Sequence, residues 1–319
     1  MSLSVVITCH NEGQYIKQSI NSVIAQSNYK NINEIFVVDD GSTDSSPQIL
    51  TQLKLNCDKL KIITTKGLGI SAARNVAIKS SISDFIAFLD GDDYWTKNKL
   101  QNQLKAFENN SSIGLIYGDF WNFEKLDASD AIFIPVRSLN NLNINQLVEY
   151  FIYDAPIIPS TTICRKEVFE TVGLFNEKIR AGEDTEMYLR VAEKWRFLHV
   201  PGADCYKRKK KGSISHRQDK LLVNQRLTSE IAISRNPQLK RFMKKRESYR
   251  LLKAGIDCFI IHKEKKSALI LAINSLKSNF FNFRTWALIF MILIPYKLNM
   301  LLYNFFKNKF YQIRRKRIK

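Results

Sequence analysis

Short apolar runs that alternate with helical periodicity constrain this chain more than any other feature. Leu3–Thr8 and Glu34–Asp39 are continuous, β-branched stretches that read as strands buried on both faces. Lys61–Thr65 and Asp84–Leu89 read as a third and a fourth strand, and Ile113–Tyr117 is strand-like again. Between them, Glu12–Gln26 carries Ile16, Ile20, Val23 and Ile24 at helical spacing. A second helix runs through Leu53, with Ser42 or Thr43 as its cap, and Gly69–Lys79 is an Ala-rich third. Thr96 is placed to cap a fourth, through Glu108. This order predicts an α/β fold with a mainly parallel sheet flanked by helices. In such sheets ligands sit beyond the carboxyl ends of the strands.

Acidic residues stand at those ends. Asp90-Gly91-Asp92-Asp93 follows the apolar run F-I-A-F-L, and the glycine lets the chain turn tightly enough to aim several carboxylates at one point. Hard cations such as Mg²⁺ or Mn²⁺ take one or two carboxylates plus substrate phosphates. An ion there would neutralise a diphosphate leaving group. The competing reading is a solvated turn, because Asp-Gly is a common turn dipeptide. Asp39 and Asp40 end another strand, where a carboxylate can accept hydrogen bonds from a base edge or ribose hydroxyls. Arg74 follows a Gly-containing loop and can meet a phosphate bidentately, or it is a helix-surface arginine. Glu183-Asp184 is a further acidic cluster, and read alone it fits acidic residues favoured at a helix N-terminus.

Five segments, S-V-V-I-T-C-H-N-E, V-V-D-D-G-S-T-D, S-A-A-R-N, F-L-D-G-D-D-Y-W and A-G-E-D-T-E-M-Y-L-R, stand in that order over roughly the first two-thirds of the chain. In that order and spacing the chain resembles glycosyltransferase family 2, inverting enzymes with the Rossmann-like GT-A fold. The resemblance implies that Thr8, His10 and Glu12 line the base and ribose pocket and that Asp40 holds a uracil-type base. It implies that Arg74 lies near the nucleotide, that Asp90 reaches the ribose side and that Asp92 binds the metal, with Asp93 in support. Asp184 matches the family's catalytic base. The donor it implies is a nucleotide-diphosphate sugar, most simply a UDP-sugar, with Mn²⁺ or Mg²⁺ as cofactor and a saccharide or lipid-linked hydroxyl as acceptor. Cell-surface polysaccharide or glycolipid synthesis is the expected setting.

Two departures matter. Members often carry Tyr-Arg-x-His near the end of this domain, whereas here Lys209 stands at the His position in Tyr206-Lys207-Arg208-Lys209. His216 could substitute, or the basic run could meet the diphosphate directly. No Gln-x-x-Arg-Trp segment of the polymer-forming branch is present, which argues for addition of one sugar.

Charge divides the chain. Residues 1–204 carry 20 Lys/Arg against 25 Asp/Glu, a net of −5, and residues 205–319 carry 29 against 5, a net of +24, which together give the +19 of the whole. The last third therefore calls for an anionic partner, lipid or nucleic acid. The expected organisation is a catalytic domain over 1–215 and a basic helical region over 216–319. Within the latter, about 284–306 would form an apolar, amphipathic segment lying on an anionic membrane surface. Core helices packed on the catalytic domain, or a single membrane span, are the alternatives; the run Trp286–Ile294 is about half of what a span needs. A nucleic-acid-binding protein is the main alternative class, disfavoured because the basic helices carry long apolar faces and no reading motif. A sugar nucleotidyltransferase is disfavoured by the loop C-H-N-E-G-Q-Y, which lacks a Gly-rich, Arg-containing turn. Five scattered cysteines show no paired spacing and fit a reducing compartment. With no secretory h-region near the start, the expectation is a cytoplasmic protein, peripheral on the inner face of the plasma membrane.

Overall fold

The structure is a computed structural model that describes residues 1–108, 110–153, 157–210 and 218–294. The chain divides into two compact units, Met1–Arg235 and Asn236–Lys319. The helix Gln218–Arg235 belongs to the first unit.

The first unit is built on one nine-stranded sheet. Its first strands are β1 (Leu3–Cys9), β2 (Ile32–Asp40), β3 (Leu60–Thr65) and β4 (Phe85–Asp90), set side by side in the order β3-β2-β1-β4. All three of these pairings are parallel. In β1, β2 and β4 the apolar side chains are buried on both faces, with Val5, Ile7, Ile35, Val37, Ile86 and Ala87 wholly inaccessible, as a sheet covered by helices requires. The helices between these strands are α1 (Ile16–Ile24), α2 (Ser46–Lys54) and α3 (Ile70–Ser80). After β5 (Tyr94–Trp95) and α4 (Lys99–Ala106), the sheet grows on the far side of β4. There β6 (Ile113–Phe123), β7 (Ile132–Ile134), β8 (Ile163–Arg165) and β9 (Arg196–Arg208) give the order β4-β8-β6-β9-β5, with β7 paired to β6. This half is mixed: β6 and β9 are parallel, while β8, β7 and β5 run antiparallel to their neighbours. The parallel expectation thus holds for the first four strands and gives way beyond β4, where three strands of two or three residues each carry no readable period. Helices α5 (Ile144–Tyr153), α6 (Lys166–Val172) and α7 (Glu183–Ala192) pack around this half, and α8 (Gln218–Arg235) closes the unit.

Two helix starts differ from expectation. Neither Ser42 nor Thr43 caps α2; the Ser42 hydroxyl accepts from the Asn11 amide and the Thr43 amide donates to Asn11 Oδ1. Asp44 Oδ1 instead accepts the Ser46 amide at 2.9 Å. Thr96 does not cap α4, whose first flanking residue is Asn98; its hydroxyl donates to the Asp204 carbonyl. In both cases a tertiary partner outcompetes the local cap.

The second unit is helical where described: α9 (Met243–Ile260), α10 (Lys265–Ser278) and α11 (Phe283–Leu293). Leu252, Phe259, Ala268, Ala272, Leu288 and Ile292 form its core. The Ser248, Ser275 and Thr285 hydroxyls are linked by hydrogen bonds within it. Phe280, Phe281, Phe283, Phe290 and Leu293 are each more than 60% exposed. Among the described residues no helix is long and apolar enough to cross a membrane. Residues 295–306 of the expected amphipathic segment, and His216, lie outside the described residues. The five cysteines are free.

Candidate active site

The carboxyl ends of β2, β1 and β4 are neighbours, with Thr8 opposite both Val38 and Asp90. Backbone geometry fixes the turn at each of these strand ends. After β1, Asn11 sits in the left-handed region at φ 58°, which Asn tolerates, and its Oδ1 accepts the Thr43 and Asp44 amides. The turn after β1 is thereby tied to the turn after β2. After β4, the Gly91 amide donates to the Thr8 carbonyl at 2.9 Å. A Cβ at residue 91 would lie 2.7 Å from that same oxygen, so only glycine brings the chain this close.

This turn spreads three carboxylates. Asp93 points inward: it is buried, its Oδ2 accepts from the Ser160 hydroxyl at 2.6 Å, and its Oδ1 accepts from the Arg208 amide at 2.9 Å. Burial, with Asp92 and Asp90 beside it, pushes its carboxyl well above the usual range. Asp92 points outward to the Lys210 ammonium at 2.8 Å, and Lys210 also meets Glu12 at 2.6 Å. Burial and then the charge of Asp92 push the Glu12 carboxyl up to about 7, against the pull of Lys210. Glu12 Oε2 is buried with no hydrogen-bond partner among the described residues.

Asp90 turns the other way. Its Oδ1 accepts from Arg74 at 2.9 Å and, at 3.4 Å, from the Thr8 hydroxyl. Arg74 is 1% exposed, and its other terminal nitrogen donates to Glu183 Oε1 at 2.7 Å. Its guanidinium also packs 5.3 Å from the Phe175 ring and 6.0 Å from that of Phe88. Burial opposes its charge, but Asp90 and Glu183 more than offset this and hold it protonated. Arg74 is therefore not a helix-surface arginine but joins the two acidic clusters across 109 positions of sequence. Asp184, half-buried in the first turn of α7, comes with Glu183. Burial and the charge of Glu183 push its carboxyl up to about 7, with Arg74 pulling the other way.

Asp40 and His10 stand one strand over. The His10 Nδ1–H donates to the Asp40 carbonyl, 2.9 Å away. The Asp40 carboxylate accepts from the Thr65 hydroxyl and from the Leu68 and Gly69 amides, at 2.6 and 2.7 Å. Burial would raise this carboxyl, but the three donors hold it below the usual range. Its first task is to shape the loop that starts α3.

Lys209 is exposed, and its amide continues the strand by donating to the Phe123 carbonyl. The cation at the acidic turn is Lys210, one residue on. Arg208, of the same basic run, donates from Nε to the Asp92 carbonyl and lies between the Tyr15 and Phe123 rings, at 4.2 and 4.4 Å. The basic run was the only signal for these two; nothing in sequence marks Ser160. Asp92 and Glu12 offer hard oxygen donors, including the unpartnered Oε2, of the kind Mg²⁺ or Mn²⁺ takes together with diphosphate oxygens. Among the described residues no three His, Cys, Asp or Glu side chains gather to enclose a metal by themselves.

The sequence model of the family described as Glycosyl transferase family 2 matches residues 4–173, which is 170 of 319 residues. The minor teichoic acid biosynthesis protein GgaA of Bacillus subtilis is 31% identical over 65% of this chain and 47% of its own. The UDP-Glc:alpha-D-GlcNAc-diphosphoundecaprenol beta-1,3-glucosyltransferase WfaP of Escherichia coli is 28% identical over 70% of this chain and 83% of its own. The chain spans less than half the length of several curated relatives it matches, such as an uncharacterized glycosyltransferase of Rickettsia conorii, of which it covers 30%. Among solved structures, S. aureus TarS 1-349 in complex with UDP-GlcNAc superposes with a TM-score of 0.61 over 91% of this chain and 84% of that one, at 20% identity, a likeness of fold.

Proposed function

This chain belongs to glycosyl transferase family 2, and from that premise we propose that it moves one sugar from a UDP-sugar to a hydroxyl of a saccharide or lipid-linked acceptor, with inversion. The observation that carries the reading is the Arg74 bridge, which sets the turn bearing Asp92 and the helix start bearing Asp184 around one buried cation. A relative named for a UDP-Glc donor and a diphosphoundecaprenol acceptor, another named for teichoic acid synthesis and a structural neighbour holding UDP-GlcNAc support the choice of donor and acceptor class.

Asp92, with Glu12 beside it, would hold Mg²⁺ or Mn²⁺ against the donor diphosphate. Such an ion, when bound, neutralises charge on the departing UDP. Lys210, paired with Asp92 and Glu12, already supplies one positive charge at that place, which arriving phosphates would share. Thr8, His10 and Asp40 line the strand ends on the side of the turn where the nucleoside would lie. Asp184 takes the proton from the acceptor hydroxyl as that oxygen bonds to the anomeric carbon. The bond from that carbon to the diphosphate oxygen breaks on the opposite face, and its electron pair leaves with UDP. A carboxyl pushed up to about 7 is matched to this task, since a base works best with a pKa near the working pH. Arg74, by balancing Glu183 and Asp90, keeps Asp184 from sitting in an uncompensated cluster of like charges.

The second unit would hold the enzyme at an anionic membrane surface, supported by its 20 Lys/Arg against 3 Asp/Glu over residues 236–319, a net of +17, and by the exposed Phe280, Phe281, Phe283 and Phe290. The catalytic proposal is tested by incubating the protein with a panel of nucleotide sugars and Mn²⁺ and measuring released nucleotide. UDP release from at least one UDP-sugar, abolished in Asp92→Asn, is expected. Release from none, or full release by Asp92→Asn, would overturn the assignment.

A further inference from the structure

Beyond Asp93 the chain enters β5, and here the sheet lays four aromatic rings in one lateral row. Tyr94 of β5 is paired with Tyr206 of β9, Tyr206 with Trp121 of β6, and Trp121 with Phe133 of β7. The Tyr94 and Tyr206 rings are near-parallel with centroids 4.7 Å apart. Tyr206 and Trp121 follow at 6.1 Å and Trp121 and Phe133 at 5.2 Å. Alternation along the strands separates this row from the core. The next residues, Trp95, Cys205 and Phe120, face the other way and are 6% exposed or less, whereas the four rings of the row are all half-buried. Each of the four rings thus keeps part of its surface open. Tyrosine and tryptophan join an apolar ring to a polar tip, and half-burial suits both parts.

The row is continuous with the carboxylates. Tyr94 follows Asp93 directly. Phe123 touches both Tyr94 and Tyr206, at 5.6 and 6.0 Å, and carries on its face the Arg208 guanidinium that donates to the Asp92 carbonyl. In the strand order, β5, β9 and β6 lie on the opposite side of β4 from β2 and its Asp40. The row is thus on the side of the acidic turn away from the strand end that would take the nucleoside.

We propose that Tyr94, Tyr206, Trp121 and Phe133 form the acceptor subsite and bind a pyranose ring. This rests on the reading of the chain as a transferase to saccharides. A pyranose presents C–H bonds on its faces and hydroxyls around its rim. The C–H faces pack on aromatic surface, whose negative π cloud favours the slightly positive hydrogens. The hydroxyls can meet the two phenols and the indole N–H, the mix of apolar surface and few polar groups that ligand sites show. An acyclic polyol offers the same hydroxyls without a ring face and should be bound poorly.

The test is saturation-transfer NMR on the full chain with methyl β-D-glucopyranoside, methyl 2-acetamido-2-deoxy-β-D-glucopyranoside and ribitol, with UDP affinity measured on the same samples. Expected are transfer to the ring C–H protons of at least one pyranoside, little to ribitol, and a weakening of at least about threefold in Trp121→Ala and in Phe133→Ala with UDP affinity kept. Phe133 lies on a three-residue edge strand, so its loss leaves the fold intact if Trp121→Ala does not. No transfer from either pyranoside, equal transfer from ribitol, or pyranoside affinity unchanged in both variants would overturn the subsite. Failure of UDP to bind while the pyranoside result holds would count against the donor reading alone.

Discussion

At the scale of single residues, the carboxyls of this site are sorted by their neighbours. Asp93 is buried and doubly hydrogen-bonded, Asp40 is held low by three donors, and Glu12 and Asp184 are both pushed up to about 7. For Asp184 burial is the largest cause and Glu183 the next. The base must be ionised to accept a proton, so transfer should rise with pH through about 7 and level off above it; a profile flat from pH 5 to 9 would speak against Asp184. The sign for stability is opposite. A carboxyl raised by folding favours the protonated folded state, so this contribution is lost as pH rises through about 7. The residue types were legible in the sequence: Thr8 meets Asp90, Asp92 meets Glu12 through Lys210, and Glu183 beside Asp184 meets Asp90 through Arg74. The pairings were not. Arg74 with Glu183, Lys210 with Glu12 and Ser160 with Asp93 span large sequence separations, and nothing local at either end specifies the partner.

At the scale of elements, Arg74 links α3 to the end of β4 and the start of α7. Replacing it with Met leaves two carboxylates without their shared cation. Breaking a buried pair this way costs about 3–5 kcal/mol. The low end, about 3 kcal/mol, is expected here because the Asp90 side chain keeps 31% of its surface in water. Urea unfolding of Arg74→Met should show that loss, and a change within experimental error would mean the bridge contributes nothing. Elements with a strong period were legible: β1, β2, β3 and β4 fall close to the apolar runs. The short β5, β7 and β8 were not, since two or three residues show no alternation and owe their pairing to the strands beside them. Helix starts were misread for α2 and α4 because Asn11 and the Asp204 carbonyl claim the capping hydroxyls from a distance.

At the scale of the molecule, the break between the two units falls after Arg235, past both the charge change after residue 204 and the expected boundary at 215, so the first unit keeps part of the basic run, Arg208 and Lys210 included. If the basic unit meets membrane, the full chain should sediment with phosphatidylglycerol vesicles and be released as salt shortens the screening length to about 3 Å at 1 M. Removal of residues 284–319 should reduce that binding, and equal binding by the truncated chain would refute a role for the segment. The catalytic account stands on one centre in which binding and proton transfer are carried by different carboxylates. Its most direct measurement compares Asp184→Asn with the unaltered protein for both UDP affinity and sugar transfer. UDP affinity within about twofold, with transfer lowered about 10²–10⁴-fold, is the predicted result. Full transfer by the variant, or loss of UDP binding in step with loss of transfer, would contradict it.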